Sequence, residues 1–509
     1  MKVFLMHRDR DLDLLQSSPD NADDLVRDLE VDTLLDAMAA GDGFLREVAG
    51  KVVLAGLTDP EEILYRQAVL ADCIAYPDVV RELYSIATET VAGERRSYIY
   101  LSKWSTPNSI LARSVDVLQL FVAQLRRLRS IADERKGDLR SEGFGRFLTM
   151  IATELDDRYF AEIEDHLREL RFQGGVLISA ELGQGNKGTN IVLRRRIADG
   201  RARRFSWGRR RAATSFRVDP RDEAGITALA ELRGQGTNLV ANALAQSTDH
   251  ILAFFTMLRS EVAFYVAALN LHERLVDGGG SVSFPVPHPT GRRALSFDGL
   301  YDPCLTLHLE NRVVGNDLRA DGIKLVVITG ANQGGKSTFL RSVGIGYLMM
   351  QCGMYVPAVR FQASLRGAIF THHKREEDAD MESGKLDEEL GRMRTIVDHI
   401  TPDSLLLCNE SFASTNEREG SEIARQVIGA LVEVGVEVLF VTHLYDLARG
   451  FYVDGDHGTM FLRAERAPDG TRSFRLVEGQ PLATSFGGDI YQRLFAEPEQ
   501  KIADAPARS

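Results

Sequence analysis

Gly330-Ala331-Asn332-Gln333-Gly334-Gly335-Lys336-Ser337 fits the spacing G-x-x-x-x-G-K-[ST] in full. It follows an apolar run, Leu325-Val326-Val327-Ile328, that reads as a buried strand, and precedes residues 338–350, which read as a helix. Glycines let the backbone wrap so that successive N–H groups face one anion, and the N-terminus of the next helix adds partial positive charge. In such a loop Lys336 reaches the terminal phosphates of a nucleoside triphosphate and Ser337 supplies an oxygen to Mg2+. A glycine-rich turn arising by chance would lack the flanking strand and helix.

The same rhythm continues outward. Leu405-Leu406-Leu407-Cys408 and Val438-Leu439-Phe440-Val441 alternate with helical stretches, which predicts a buried, largely parallel sheet. The first run ends in Asn409-Glu410. A strand end so placed brings two side chains beside the metal and the attacking water. Glu410 is suited to polarise that water. Asn409 stands where a metal-supporting group is wanted and offers an amide oxygen without negative charge. Val441-Thr442-His443 ends the next strand, where a histidine can contact the terminal phosphate and register its presence. Either end alone also fits a polar terminus satisfied by its neighbours; the order of phosphate loop, acidic end and histidine end favours catalysis.

Residues 1–290 read mostly as long helices. Asp59-Pro60-Glu61-Glu62 combines an Asp N-cap, a Pro at the first helical position and acids at the positive helix end. The run it opens reaches residue 92, with Pro77 as an expected break. Further segments cover 107–133 and 143–172. The longest spans 236–275, where Leu244, Ile251, Phe255, Leu258, Val262 and Tyr265 trace an apolar stripe. At 1.5 Å per residue it extends about 60 Å, a length suited to a lever.

Between the third and fourth helices, residues 175–179, 190–193, 204–207 and 214–218 have the look of short strands, with Gly183-Gln184-Gly185-Asn186-Lys187-Gly188 as a turn. They predict a small β insertion over 174–220. Residues 194–217 hold ten Arg and one Asp, in a chain of net charge −12. The acidic balance excludes a global polycation, so nucleic-acid contact has to come from this patch. Arg203, Arg204, Arg209 and Arg210 are its candidate phosphate contacts, and Phe205 and Trp207 stand between them to stack on bases. A solvated hairpin face or a dock for an acidic protein fits the same residues. A second run, 376–389, with eight acids and one Lys, fits an exposed helix face as well as a switch sensing the terminal phosphate.

The 509 residues are 44% hydrophobic and 26% charged, with mean hydropathy −0.15, which excludes fibre and bulk disorder. Cys73, Cys304, Cys352 and Cys408 form no C-x-x-C pair, so no disulfide framework or zinc knuckle is expected and a reducing, cytoplasmic setting fits. The first eight residues are too weakly apolar for a signal peptide. The uncharged stretch 342–359, interrupted by Gly, Gln and Pro, reads as a core helix and a turn rather than a membrane span.

Thr329-Gly330-Ala331-Asn332-Gln333-Gly334-Gly335-Lys336-Ser337-Thr338 resembles the TGPNMGGKST loop of the MutS family, the ABC-type ATPases of DNA mismatch repair. Val314-Gly315-Asn316-Asp317 resembles its V-P-N-D turn, and Thr442-His443-Leu444-Tyr445-Asp446-Leu447 its T-H-x-x-[ED]-L. Asp59-Pro60-Glu61-Glu62-Ile63-Leu64-Tyr65-Arg66-Gln67 is similar to the opening of its helical core. The resemblance implies a multidomain fold. A helical core and lever domain covers 1–290, with 174–220 as a clamp-like insertion; a P-loop, ABC-type α/β ATPase domain covers 291–495; a flexible tail covers 496–509.

It also implies ATP and Mg2+ as cofactors. Gly330 to Thr338 (Ala331, Asn332, Gln333, Gly334, Gly335, Lys336 and Ser337 between them) hold the nucleotide, together with Asn316. Ser337 and Asn409 serve the metal, and Glu410 and His443 are catalytic. In a head-to-tail homodimer, Ser414, Thr415 and Asn416 face the γ-phosphate of the other subunit; they fit a plain helix N-cap equally well.

Departures from the family pattern qualify this. Asn409-Glu410 replaces Asp-Glu, and residues 412–414 replace a glycine-rich segment, which implies slow or retuned turnover. Ahead of the helical core there is no room for the mismatch-reading domain with its Phe-x-Glu wedge. A connector domain, a C-terminal helix-turn-helix after Phe486-Gly487-Gly488 and a nuclease domain are not evident. Mismatch reading in the usual manner is therefore not implied. The expected function is ATP-driven closure of paired heads that clamps nucleic acid, DNA first, in repair or recombination. A nucleotide-gated clamp on RNA or ribosomes, and a nucleotide-switched protein scaffold with weak hydrolysis, are the alternatives. No membrane partner is expected.

Overall fold

The structure is a computed structural model and describes residues 1–98, 106–195, 215–309, 313–331, 333–375, 384–455, 458–466 and 472–481. Arg203, Arg204, Arg209 and Arg210, the residues between them, and Asn332 lie outside the described residues, as do most of the acidic run and the C-terminal tail.

The chain opens with short helices α1 (Ala22–Asp28), α2 (Val31–Ala39), α3 (Gly43–Ala55) and α4 (Pro60–Ala75). Longer ones follow: α5 (Pro77–Tyr98), α6 (Pro107–Arg135), α7 (Glu142–Glu154) and α8 (Asp157–Leu170). A hairpin, β1 (Ile178–Leu182) and β2 (Gly188–Leu193), leads to α9 (Glu223–Asp277). Next come β3 (Val286–His288), β4 (Leu295–Leu300), α10 (Pro303–Leu309), β5 (Asn316–Arg319), β6 (Leu325–Gly330) and α11 (Lys336–Gln351). The remainder is β7 (Arg360–Ser364), β8 (Ile369–His373), α12 (Lys385–His399), β9 (Leu405–Asn409), α13 (Glu417–Glu433), β10 (Glu437–Val441), α14 (Tyr445–Asp454), β11 (Thr459–Arg466) and β12 (Arg472–Glu478).

These elements form two compact units. One comprises Met1–Leu12 and Tyr76–Val262, the other Asp13–Ala75 and Ala263–Ser509. In the first, α6 packs on α5, α7 and α8. Thr106 caps α6 and Pro107 occupies its first turn, a position where the missing N–H is harmless. Phe121, Leu125, Phe147 and Phe255 are among its buried apolar side chains. The expected helix over 143–172 is two helices, because the Asp156 carboxylate accepts from Tyr159 N at 2.7 Å and starts α8 afresh. The break at Pro77 is present. β1 and β2 pair antiparallel, Ile178 opposite Leu193, whereas residues 215–218 form no strand.

The long helix starts at Glu223, ahead of its apolar stripe, and runs 55 residues. By length and composition it is apolar enough to cross a membrane, but 67% of its most apolar window is buried inside the protein. Such burial marks a core helix. Glu261 on it is fully buried and its carboxylate accepts the Leu5, Met6 and Leu12 backbone N–H groups at 2.6, 3.0 and 3.3 Å, tying down the N-terminal segment.

The second unit is built on a six-stranded sheet of order β12-β11-β6-β10-β9-β8, parallel throughout except for the antiparallel edge strand β12. A four-stranded sheet, β3-β7-β4-β5, accompanies it. Every residue of β6 and β10 is buried, the pattern of strands covered on both faces. Residues 342–351 lie buried within α11, as the core-helix reading expected. Residues 13–75, expected within the helical domain, group with this α/β unit instead. The Asn21 side chain donates to Ile369 O at 2.5 Å, Arg375 pairs with Asp24, and Arg341 pairs with both Glu30 and the buried Asp302. Arg366 and Glu437 form a buried ion pair between β7–β8 and β10, with the Tyr347 hydroxyl beside the guanidinium.

Candidate nucleotide site

Parallel pairing brings four strand ends to one edge. Ile328 of β6 and Asn409 of β9 both stand opposite Val441 of β10, and His373 of β8 stands opposite Asn409. Ligands of parallel α/β sheets bind beyond these carboxyl ends.

The loop leaving β6 requires glycine at two points. Gly330 has φ 111°, and a Cβ there would lie 2.9 Å from Ala464 N. Gly335, with φ 88°, turns the chain into α11. Gln333 also holds a left-handed φ of 57°. Lys336 is buried, and its ammonium donates to the carbonyls of Gly330 and Ala331 at 3.1 and 3.0 Å. Burial lowers its pKa to about 8; the Glu410 carboxylate opposes the shift and Arg472 adds to it.

Ser337, exposed in the first turn of α11, donates through Oγ to Asn409 Oδ1 at 3.0 Å. Next along the chain, Glu410 adopts a left-handed φ of 56° while its N–H donates to Val441 O at 2.8 Å. The turn sets its carboxylate 2.7 Å from His443 Nε2, whose N–H donates to Oε1. That hydrogen bond, with the charges of His443, Lys336 and Lys374, outweighs partial burial and holds the Glu410 carboxyl below its ordinary value. At neutral pH it is therefore a carboxylate, able to accept a proton from water.

Asn316 lies beside the loop, but β12 engages its amide. Oδ1 accepts from Leu476 N at 2.7 Å and Nδ2 donates to Phe474 O at 3.3 Å. The same residue lines a cavity of about 440 Å³ with Gln333, Gly335, Thr338, Val314 and Phe474, mostly apolar in its walls. Ser414 and Thr415 are half-buried. Thr415 donates to Glu419, and Asn416 caps α13 by accepting from Glu419 N at 3.0 Å.

Nothing local in the sequence points to Phe474, Arg472 or Lys374. They reach the site through strand pairing: β12 folds back along β11, and Lys374 N donates to Asn409 O at 2.9 Å. Among the described residues no group of three or more His, Cys, Asp and Glu is disposed to hold a metal. The hydroxyl and amide oxygens of Ser337 and Asn409 do fit a hard cation such as Mg2+, and the apolar cavity next to the loop fits a nucleobase.

Strand, left-handed glycine turn, buried lysine and helix, with a carboxylate–imidazole pair at the adjoining strand ends, define a P-loop α/β domain. Residues 326–508 match the family model of MutS domain V, and residues 58–277 match that of the MutS2 N-terminal domain. The chain belongs to the MutS family. It is 29% identical over 216 residues to the DNA mismatch repair protein MutS of Chlorobium phaeobacteroides, covering 42% of this chain and 23% of that one. With the protein of that name from Desulforamulus reducens it shares 38% identity over 126 residues, 25% of this chain and 14% of the relative. With MutS protein homolog 4 of Mus musculus it shares 31% over 138 residues, 27% and 14% respectively. The matched part thus spans under a quarter of these relatives.

Proposed function

We propose that this chain binds and hydrolyses ATP and couples closure of paired ATPase heads to clamping of DNA, in repair or recombination rather than in standard mismatch reading. The carrying observation is the convergence of Lys336, the Ser337–Asn409 oxygen pair and the Glu410–His443 pair at one sheet edge. In this reading the loop from Gly330 to Thr338 cradles the phosphates, and the apolar cavity takes the base. Ser337 and Asn409 would hold Mg2+, which when bound neutralises phosphate charge as it develops. Glu410 accepts a proton from the attacking water, and His443 orients that carboxylate.

Clamping is assigned to the arginine-rich segment, in particular Arg203, Arg204, Arg209 and Arg210. Its local basicity in an acidic chain supports backbone contact. Ser414, Thr415 and Asn416 are the proposed contacts to the partner's nucleotide in a homodimer. Two of the relatives are named DNA mismatch repair proteins, which favours DNA over RNA here.

The test is ATP turnover by the wild type and Glu410→Ala, alone and with duplex DNA, single strands, RNA and ribosomes. We expect wild-type turnover that DNA alters, with the variant slowed about a hundredfold or more while still binding ATP. Stimulation by RNA or ribosomes alone would replace DNA with those partners. Dimerisation by ATP without any nucleic-acid response would favour a scaffold, the reading that the neutral Asn409 also supports.

A further inference from the structure

The turn bearing Glu410 is held by residues that play no part in the scheme above. Phe412 N donates to Glu389 Oε1 of α12 at 2.5 Å, and Glu389 is buried with its other oxygen unpartnered among the described residues. The neighbouring Ser411 is tied to β8. His372, fully buried and held neutral by burial at about 4, donates from Nε2 to Glu389 O at 3.1 Å. The Ser411 hydroxyl donates to His372 O at 2.6 Å and lies 2.7 Å from the same residue's Nδ1. The Phe412 ring lies against the imidazole with centroids 5.7 Å apart, and shares its apolar cluster with Met393 and Ile396 of α12 and with Leu444, the neighbour of His443.

These contacts bracket a strained segment. Glu410 and Phe412 have φ of 56° and 63°, values that side-chain-bearing residues hold only when their surroundings over-determine them. Release of the Phe412 N–H would let the turn relax, and Glu410 is its first member. The carboxylate would then leave His443. Among the described residues, the hydrogen-bond partner of this buried carboxylate is one backbone N–H, that of Phe412.

We propose that Glu389, backed by His372, is the positioning residue for Glu410, so that the seating of α12 sets the hydrolysis rate. The proposal rests on the ATPase reading and adds to it a residue that never touches nucleotide. Its test uses the full chain, with kcat for MgATP and the dissociation constant for ATP measured on wild type, Glu389→Ala, Glu389→Gln and Ser411→Ala. Glu389→Ala should lower kcat about tenfold or more with ATP affinity changed less than about threefold; Glu389→Gln, whose amide oxygen can still accept from Phe412, should restore most of the rate. Ser411→Ala, a small change that leaves Glu389 in place, should give the same split at lesser size. Equal kcat in wild type and both alanine variants would overturn the proposal. So would a parallel fall in rate and affinity, the mark of general damage. A wild type that binds but never hydrolyses ATP would instead refute the underlying reading.

Discussion

Ser337 and Asn409, 72 positions apart in the chain, meet through a hydrogen bond of 3.0 Å from hydroxyl to amide oxygen. Exchanging that amide for a carboxylate adds a full negative charge at the proposed metal position. At an effective dielectric near 20, unit charges about 4 Å apart interact by about 4 kcal/mol. Asn409→Asp should therefore lower the Mg2+ concentration that half-saturates nucleotide binding by about tenfold or more. A magnesium titration of nucleotide binding reads this directly, and an unchanged midpoint would remove Asn409 from the metal site.

Lys336 provides a pH signature. Burial lowers it from 10.5 to about 8, so above that pH the folded protein releases a proton that the unfolded chain keeps. Its linked contribution to stability rises with pH through that interval and is lost as pH falls through about 8. Phosphates reverse the shift by favouring the ammonium. ATP binding at pH 8.5 should thus take up a fraction of a proton, seen as a buffer-dependent enthalpy in calorimetry. Lys336→Ala should weaken ATP binding about a hundredfold.

For the arginine-rich segment the measurement is salt dependence. Replacing Arg203, Arg204, Arg209 and Arg210 together by alanine should flatten the plot of log affinity for DNA against log salt by about 0.9 for each phosphate that the segment no longer neutralises. Binding with an unaltered slope would exclude these side chains as partners of the DNA backbone.

Arg366 and Glu437 illustrate a different energetic regime. Both are almost fully buried; burial raises the Glu437 carboxyl, and the Arg366 guanidinium offsets that only in part. Removing one partner leaves a charge without compensation, at roughly 3–5 kcal/mol. Glu437→Ala should lower the thermal midpoint of the α/β unit by several degrees, whereas an apolar replacement of both partners should be far better tolerated.

Glu261 predicts the opposite pH trend from Lys336. Burial, acting against three backbone hydrogen bonds, raises its carboxyl to about 7. The linked stability is complete below the unfolded value near 4.5 and disappears as pH rises through about 7. Its size is about 3 kcal/mol, from 1.4 kcal/mol per pK unit. Thermal midpoints of wild type and Glu261→Gln at pH 5 and pH 8 should show a steeper fall for the wild type.

Legibility follows the range of the interactions. The phosphate loop and the two polar strand ends are local patterns, and parallel register then puts them together. Residues 13–75 join the α/β unit against expectation because their attachment depends on pairs such as Arg341–Glu30 and Arg375–Asp24, more than 300 positions apart. The division at Asp156 has a capping residue to announce it, but apolar spacing continues across it. The amide of Asn316 is expected at the nucleotide; its bonds to Phe474 and Leu476 arise from β12, which no nearby residue foretells.

The ammonium of Lys336 already holds two carbonyl oxygens of its own loop. On the proposed reading an incoming anion takes the third ammonium N–H and competes with those two carbonyls for the rest of the cation. A species with little charge, such as a nucleoside or a monophosphate seated by its base alone, gains little from that contest. On the proposed ATPase reading, preference for highly charged phosphate chains would then arise from the folding of the loop on itself, before any interaction with the base is considered.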